Sequence, residues 1–455
     1  MPTTRKSGFR SRVALSVTLG VFMASIVATP VHADTVRSRQ WHLDAMHAEE
    51  MWKTSTGRGV TVAVIDSGVD DTVADLRGQV LDGKDYSDLP GDEHSDRDRH
   101  GTGMAALIAG TGARGKTAGS FGVAPGAKIL PIRMSYSSER SGQADQLSGY
   151  SRDMASAIRY AADSKARILN ISMGSPNRRG FSNVNTPELS AAVKYALSKG
   201  KLLFAAVGNT AHKGNEPKYP AATPGVVGVG AINREIERTK ESQWGPQVDM
   251  VAPGDDIWNA CSGGTELCKG HGTSASAAIA SASAALIWSK HPNWTNNQVL
   301  RVMINTMQGN DDGWSRDDSV GYGAVRPRIA LTNPGDPGPA DEYPLPDLTA
   351  ATKPSAPSRS SNATGDEKRT DKATATAPGA DDEARAPWAA MGAGAAVVIG
   401  VGMVIFFVRF RNRRLQSGPL IHSQPNHYQQ AQHLSSSEPA SAPPISPPRG
   451  DRRDV

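Results

Sequence analysis

The chain has 455 residues, enough for more than one domain, with 38% apolar and 21% charged residues and a formal charge of +5. The basicity is positional: Arg5, Lys6, Arg10 and Arg12 precede the first apolar run, and Arg409, Arg411, Arg413 and Arg414 follow the last. Without these eight the remainder carries −3, and no basic stripe is interleaved with aromatics, which argues against a nucleic-acid partner.

In chain order, the basic start leads into an apolar stretch, Val13 to Ala28, and then into Thr29-Pro30-Val31-His32-Ala33. This pattern predicts an export signal over 1–33, cleaved after Ala33; the apolar stretch is short for a membrane span of about 20 residues. From about 40 to 335, strand-like and helix-like patterns alternate. Val60–Ile65, Ile129–Ile132, Ile168–Ile171, Leu202–Val207 and Val226–Val229 are runs suited to buried strands. Met154, Ile158, Ala161 and Ala162 share one helical face, as do Leu189, Val193, Ala196 and Leu197, with Gly200 placed to end the second helix. Such alternation predicts an α/β fold: a parallel sheet with helices on both faces and its chemistry at the carboxyl ends of the strands.

Beyond this domain, residues 336–387 are rich in Pro, Ala, Thr, Ser and charge. They bury too little apolar surface to offset ordering entropy, so a disordered stalk is expected. Trp388 to Val408 holds no formal charge over 21 residues, about 31 Å as a helix against a hydrocarbon core of about 30 Å. One C-terminal transmembrane helix is expected there, with the arginines after it holding 409–455 in the cytoplasm as a disordered tail. Residues 34–335 would then lie outside the cell membrane as a catalytic domain with a short N-terminal extension.

Four short motifs fall where chemistry is expected. Asp66 ends the first strand run and is followed by Ser67-Gly68. His100-Gly101-Thr102-Gly103 opens a small-residue helix, and Gly272-Thr273-Ser274 opens an Ala/Ser-rich one. Gly208-Asn209 follows the strand run at 202–207. Taken singly, each has a structural reading: an acid in a turn, a histidine at a helix mouth, a serine N-cap, an asparagine in a turn. His94, Asp96 and Asp98 also offer a metal-ligand reading for the histidine segment. Together, however, the motifs supply a carboxylate, an imidazole, a hydroxyl at a helix N-terminus and an amide donor, the parts of an acyl-transfer site.

In their order, Val64-Ile65-Asp66-Ser67-Gly68, His100-Gly101-Thr102-Gly103 and Gly272-Thr273-Ser274 resemble the three signatures of the subtilisin-like serine proteases, or subtilases. Gly208-Asn209 resembles the family's oxyanion-hole asparagine. Ser172-Met173-Gly174 resembles one wall of its primary specificity pocket, and Gly321-Tyr322-Gly323-Ala324-Val325 the segment closing its domain. The resemblance runs from about Gln40 to Leu331. It implies a Ser274–His100–Asp66 triad, an oxyanion hole from Asn209 and the Ser274 amide, and protein or peptide substrates. Calcium is common in this family, but no acidic loop here is specific enough to assign a site, and no cofactor or metal is expected.

Signal, single subtilase domain, Pro-rich stalk, C-terminal helix and short tail are similar to the mycosins, proteases associated with bacterial type VII secretion. That likeness implies secreted proteins as substrates, secretion-complex components as partners, and an extension too short for a separately folded inhibitory propeptide. It also leaves a second function open, a scaffold of the complex with little or no proteolysis. Two departures stand out. Ala275, Ser276 and Ala278 replace the Met-Ala and the later Pro usual after the nucleophile, and only two cysteines, Cys261 and Cys268, stand where two disulfides are expected. Two cysteines in an exported chain point to one bridge just upstream of Ser274, with two free thiols as the alternative.

Overall fold

A computed structural model describes residues 35–135, 146–177, 183–307 and 315–348. The expected signal, transmembrane segment and cytoplasmic tail, and the stalk from 349 on, lie outside the described residues. Among those described, no helix is long and apolar enough to cross a membrane.

The chain enters through three short helices, α1 (Val36–Arg39), α2 (Trp41–Ala45) and α3 (Ala48–Thr54), and then runs into β1 (Thr61–Asp66) and β2 (Lys84–Asp85). There follow α4 (His100–Ala109), α5 (Gly115–Ala118), β3 (Lys128–Arg133), α6 (Gln146–Asp163), β4 (Ile168–Ile171), β5 (Ser175–Pro176) and α7 (Pro187–Ser198). Next come β6 (Leu202–Ala206), β7 (Lys218–Tyr219), β8 (Val227–Ile232), β9 (Met250–Pro253), β10 (Ile257–Ala260) and β11 (Leu267–Gly270). The helices α8 (Thr273–Lys290), α9 (Asn296–Asn305) and α10 (Pro327–Thr332) close the domain.

One seven-stranded sheet organises the molecule, in the order β2-β3-β1-β4-β6-β8-β9, with every pairing parallel. The five strand runs expected from the sequence are its interior: β1, β3, β4, β6 and β8. They are buried almost throughout, as parallel strands covered on both faces must be. One face packs on α4 and α8, the other on α6 and α7, giving two apolar layers. Helix α8 is buried on every side from Thr273 to Trp288, and its Ala/Ser composition is what lets it approach the sheet so closely.

The departures after Ser274 have a packing role. Ala275 and Ala278 are buried, and the Ser276 hydroxyl donates to the carbonyls of Ala252 (3.0 Å) and Pro253 (3.3 Å) at the end of β9. A serine here replaces apolar contact with a tie between helix and sheet.

The N-terminal extension is docked on the domain. The Gln40 side chain donates to the Phe121 carbonyl (2.8 Å) and accepts from the Phe121 amide (3.0 Å), while the Trp41 indole donates to the Asp255 carbonyl (2.9 Å). At the other end, order continues past 335, where the sequence suggests a disordered stalk. Arg301 donates to the carbonyls of Pro339 (3.2 Å) and Glu342 (3.1 Å), Leu345 is buried, and the Gly225 amide donates to Asp347 (2.7 Å). Residues 336–348 are thus a strap over α9. Composition hides this because the strap is held mainly by its own carbonyls, which any sequence supplies.

Asp249, just before β9, is buried and accepts from the Gly228 amide at 2.8 Å. Burial, aided by Asp347 and opposed by the Gly228 bond and Arg316, pushes its carboxyl up to about 8. A carboxyl raised in the fold binds more protons than its unfolded counterpart between the two values. Stability is therefore lost as pH rises from about 4 towards 8. Asp249→Asn keeps an acceptor for the Gly228 amide and removes the titration. We expect it to flatten that pH dependence and to stabilise the protein at pH 8 by on the order of a few kcal/mol, read from chemical denaturation at pH 5 and 8. Equal losses of stability in both proteins over that range would contradict this.

Candidate active site

The site forms where β1, β4 and β6 end beside the mouths of α4 and α8. Asp66, the last residue of β1, is fully buried. Its Oδ1 lies 2.7 Å from His100 Nδ1 and also accepts from the Ser67 amide at 2.8 Å. His100, the first residue of α4, is held by Asp66 through Nδ1 and keeps 23% of its side chain exposed. The contact requires glycine at 101: a Cβ there would come within 2.1 Å of the Gly68 carbonyl oxygen and 3.1 Å of Asp66 Cβ.

Asp96 braces this pair. Its Oδ1 accepts from the Ser67 hydroxyl (2.8 Å), and its Oδ2 from the Thr102 amide (2.8 Å) and hydroxyl (2.5 Å). The Ser67 oxygen in turn accepts from the Gly101 amide at 3.0 Å. Among the described residues no group of three or more His, Cys, Asp and Glu is arranged to hold a metal ion.

Ser274 is the second residue of α8, so the N-cap is Gly272 and the serine is not the cap. Gly272 has φ +116°, and a Cβ on it would lie 2.7 Å from Asn209 Nδ2. Asn209 takes over the capping. Its Oδ1 accepts from the Thr273 amide (2.8 Å) and hydroxyl (3.0 Å), which fixes the amide by its oxygen and leaves Nδ2 to donate. The Ser274 hydroxyl donates to the Ser172 carbonyl at 3.0 Å, and the Ser172 hydroxyl donates back to the Ser274 carbonyl at 3.1 Å. The Ser274 proton is thus turned to the Ser172 carbonyl and must leave it before an imidazole can take it, as is common in free active sites.

Ser172, Met173 and Gly174 follow β4 and flank the nucleophile on one side; Gly208 and Asn209 follow β6 on the other. Cys261 and Cys268 form a disulfide, with an S–S distance of 2.03 Å, across the hairpin of β10 and β11. That hairpin packs on the Asp96 loop, where the Ser262 hydroxyl donates to the Asp96 carbonyl at 3.3 Å.

The electrostatics favour a proton acceptor at His100. Burial pulls its imidazole down, but the charge of Asp66 and its hydrogen bond, followed by Asp96 and Asp98, outweigh burial and hold it above the ordinary histidine value of 6.5. If neutral His100 acts as a base, kcat/KM should rise with pH through a midpoint above 6.5. In Asp66→Asn the midpoint of the residual activity should fall. A wild-type limb centred at or below 6.5 would contradict the role given to the Asp66 charge.

A buried carboxylate paired with an imidazole, with a helix-borne hydroxyl and an amide donor at neighbouring strand ends of a parallel sheet, is the set of groups that an acyl-transfer site requires. Comparison with known proteins agrees. Residues 57–323 match the subtilase family. The chain is 34% identical over 222 residues to the major intracellular serine protease of Bacillus subtilis, covering 47% of this chain and 64% of that one. It is 31% identical over 352 residues to mycosin-1 of Mycolicibacterium smegmatis, covering 68% and 76%. Among solved structures, MycP1 from the ESX-1 type VII secretion system superposes with a TM-score of 0.58 at 30% identity, covering 66% of this chain and 88% of that chain. A chain of the periplasmic assembly from the ESX-5 inner membrane complex gives 0.56 at 30% identity, covering 70% and 88%. The chain belongs to the subtilase family of serine proteases. It spans less than two thirds of the length of the first of these relatives.

Proposed function

We propose that this protein is an extracytoplasmic serine endopeptidase working beside a type VII secretion system, anchored by Trp388–Val408. The observation that carries the catalytic part is the 2.7 Å Asp66–His100 contact at the mouth of α4, which packs against α8, the helix that bears Ser274. Ser274 attacks a peptide carbonyl as His100 takes its proton, and Asp66 orients and stabilises the resulting imidazolium. The tetrahedral oxygen is held by Asn209 Nδ2 and the Ser274 amide, with the N-terminus of α8 supplying a favourable dipole. His100 then protonates the leaving amine, and water hydrolyses the acyl-enzyme by the same route.

The secretory setting is supported by the likeness to MycP1 and to the ESX-5 assembly, together with the signal and anchor patterns of the sequence. The same ESX-5 likeness favours a second reading, in which the domain serves chiefly as a scaffold of the complex. Mass spectrometry of exported proteins from wild-type and Ser274→Ala cells separates the two. Normal export with uncleaved substrates supports the peptidase; identical, uncut export in both supports the scaffold.

A further inference from the structure

A cavity of about 270 Å³, lined by none of the catalytic groups, lies between the docked N-terminal extension, the ends of β8 and β9 and the start of α10. Trp41 and Met46 come from the extension, Ile232 from β8, Pro253 from β9 and Arg326 from the turn into α10. It is smaller than the roughly 300–1,000 Å³ of sites for drug-sized ligands, so it suits one or two peptide side chains rather than a cofactor. An apolar residue stands at its rim. The turn after β8 is closed by Asn233, whose Oδ1 accepts from the amides of Glu235 (3.1 Å) and Glu237 (2.9 Å). The turn holds Ile236 at φ +65°, a left-handed conformation that β-branched residues rarely adopt, and leaves it 48% exposed. Packing gains nothing from an isoleucine that is both strained and exposed; glycine or asparagine would suit the turn better. The lining also holds Arg234, Arg326 and Arg328 and no acidic side chain. Arg234 is paired with Asp256 at 3.2 Å and lies over the Trp41 ring, and Arg328 reaches Glu50 only at 4.0 Å. The half-buried Arg326 has no hydrogen bond or ion pair from its guanidinium among the described residues.

We propose that this cavity is a docking site for an acidic segment of a partner protein. The segment places an apolar side chain against Trp41 and Met46 and a neighbouring carboxylate on Arg326, with Ile236 packing at the rim. Aromatic residues, Met and Arg are the side chains that protein interfaces concentrate, and a planar guanidinium holds a carboxylate through two parallel bonds. A flat bilayer would cover Ile236 and leave the concave space behind it unfilled. The site stands apart from the triad, so it serves equally whether or not the domain cleaves peptides.

The test is photo-crosslinking of the full-length chain in intact cells, with Glu235→p-benzoylphenylalanine beside Ile236 as the probe. Leu81→p-benzoylphenylalanine is the control, exposed beside β3 near the opposite edge of the sheet. A protein adduct should form from position 235 and not from 81, and its mapped peptide should carry Asp or Glu beside a large apolar residue. Arg326→Glu should lower the adduct yield at least about tenfold, because like charges then meet. Ile236→Gly should also lower it without lowering Tm, since glycine adopts this φ without strain. A cooperative melt shows each variant to be folded; if Arg326→Glu fails to fold, Ile236→Gly alone decides. No protein adduct at 235, an adduct with lipid or with a second copy of this chain, an adduct peptide without an acidic residue, or wild-type yield in either folded variant would overturn the proposal.

Discussion

Ser274→Ala is expected to lower peptide hydrolysis by about 10⁶-fold while leaving the fold in place, as removal of the nucleophile does in subtilisin. The loss should fall on kcat, because the hydroxyl contributes to the reaction and little to holding the ground state. The structural cost is small. The hydroxyl gives up one bond to the Ser172 carbonyl, and the reciprocal bond from the Ser172 hydroxyl to the Ser274 main chain survives. That removes about 1 kcal/mol. His100→Ala should cost a similar factor, and the double variant little more, since groups acting as one unit do not lose activity additively. Single and double variants measured on one peptide check this. Multiplying losses would mean that the two side chains act independently.

Asn209 carries the second large effect, and its variants should separate two roles. Removing an oxyanion donor costs about 10²–10³ in kcat. Here the same side chain also caps α8 through Oδ1, so Asn209→Ala leaves the buried Thr273 amide without its acceptor and should destabilise the fold by about 1–3 kcal/mol. Asn209→Asp retains an acceptor for Thr273 at a helix N-terminus that favours negative charge, so stability should be kept. It places a carboxylate where the oxyanion forms, so turnover should fall at least as far. Paired measurements of kcat and Tm on both variants decide the matter. A stable Asn209→Asp enzyme with wild-type kcat would remove Asn209 from the chemistry and leave it a cap.

The fold was more legible than the site's fine structure, for physical reasons. The interior strands announce themselves because both faces are buried, which forces uninterrupted apolar runs such as Val62–Ile65 and Leu202–Ala206. The edge strand β2, with two residues, and β9, with four residues ending in Pro253, carry no such run. The short helices α1 to α3 are fixed by tertiary contacts such as those of Gln40 and Trp41 rather than by periodicity. At the site, the motifs give residue types and strand ends, and so place Asp66, His100, Asn209 and Ser274 in one region. They do not reveal that Gly272 is the cap, that Asn209 spends its oxygen on Thr273, or that Asp96 locks Ser67 and Thr102.

The most direct measurement is the structure of the enzyme after reaction with a fluorophosphonate. The phosphorus should be bonded to Ser274 Oγ. One phosphoryl oxygen should lie within about 3 Å of both Asn209 Nδ2 and the Ser274 amide, with His100 still paired to Asp66. An adduct on another residue such as Ser172 or Ser276, or a phosphoryl oxygen turned away from Asn209, would contradict the account.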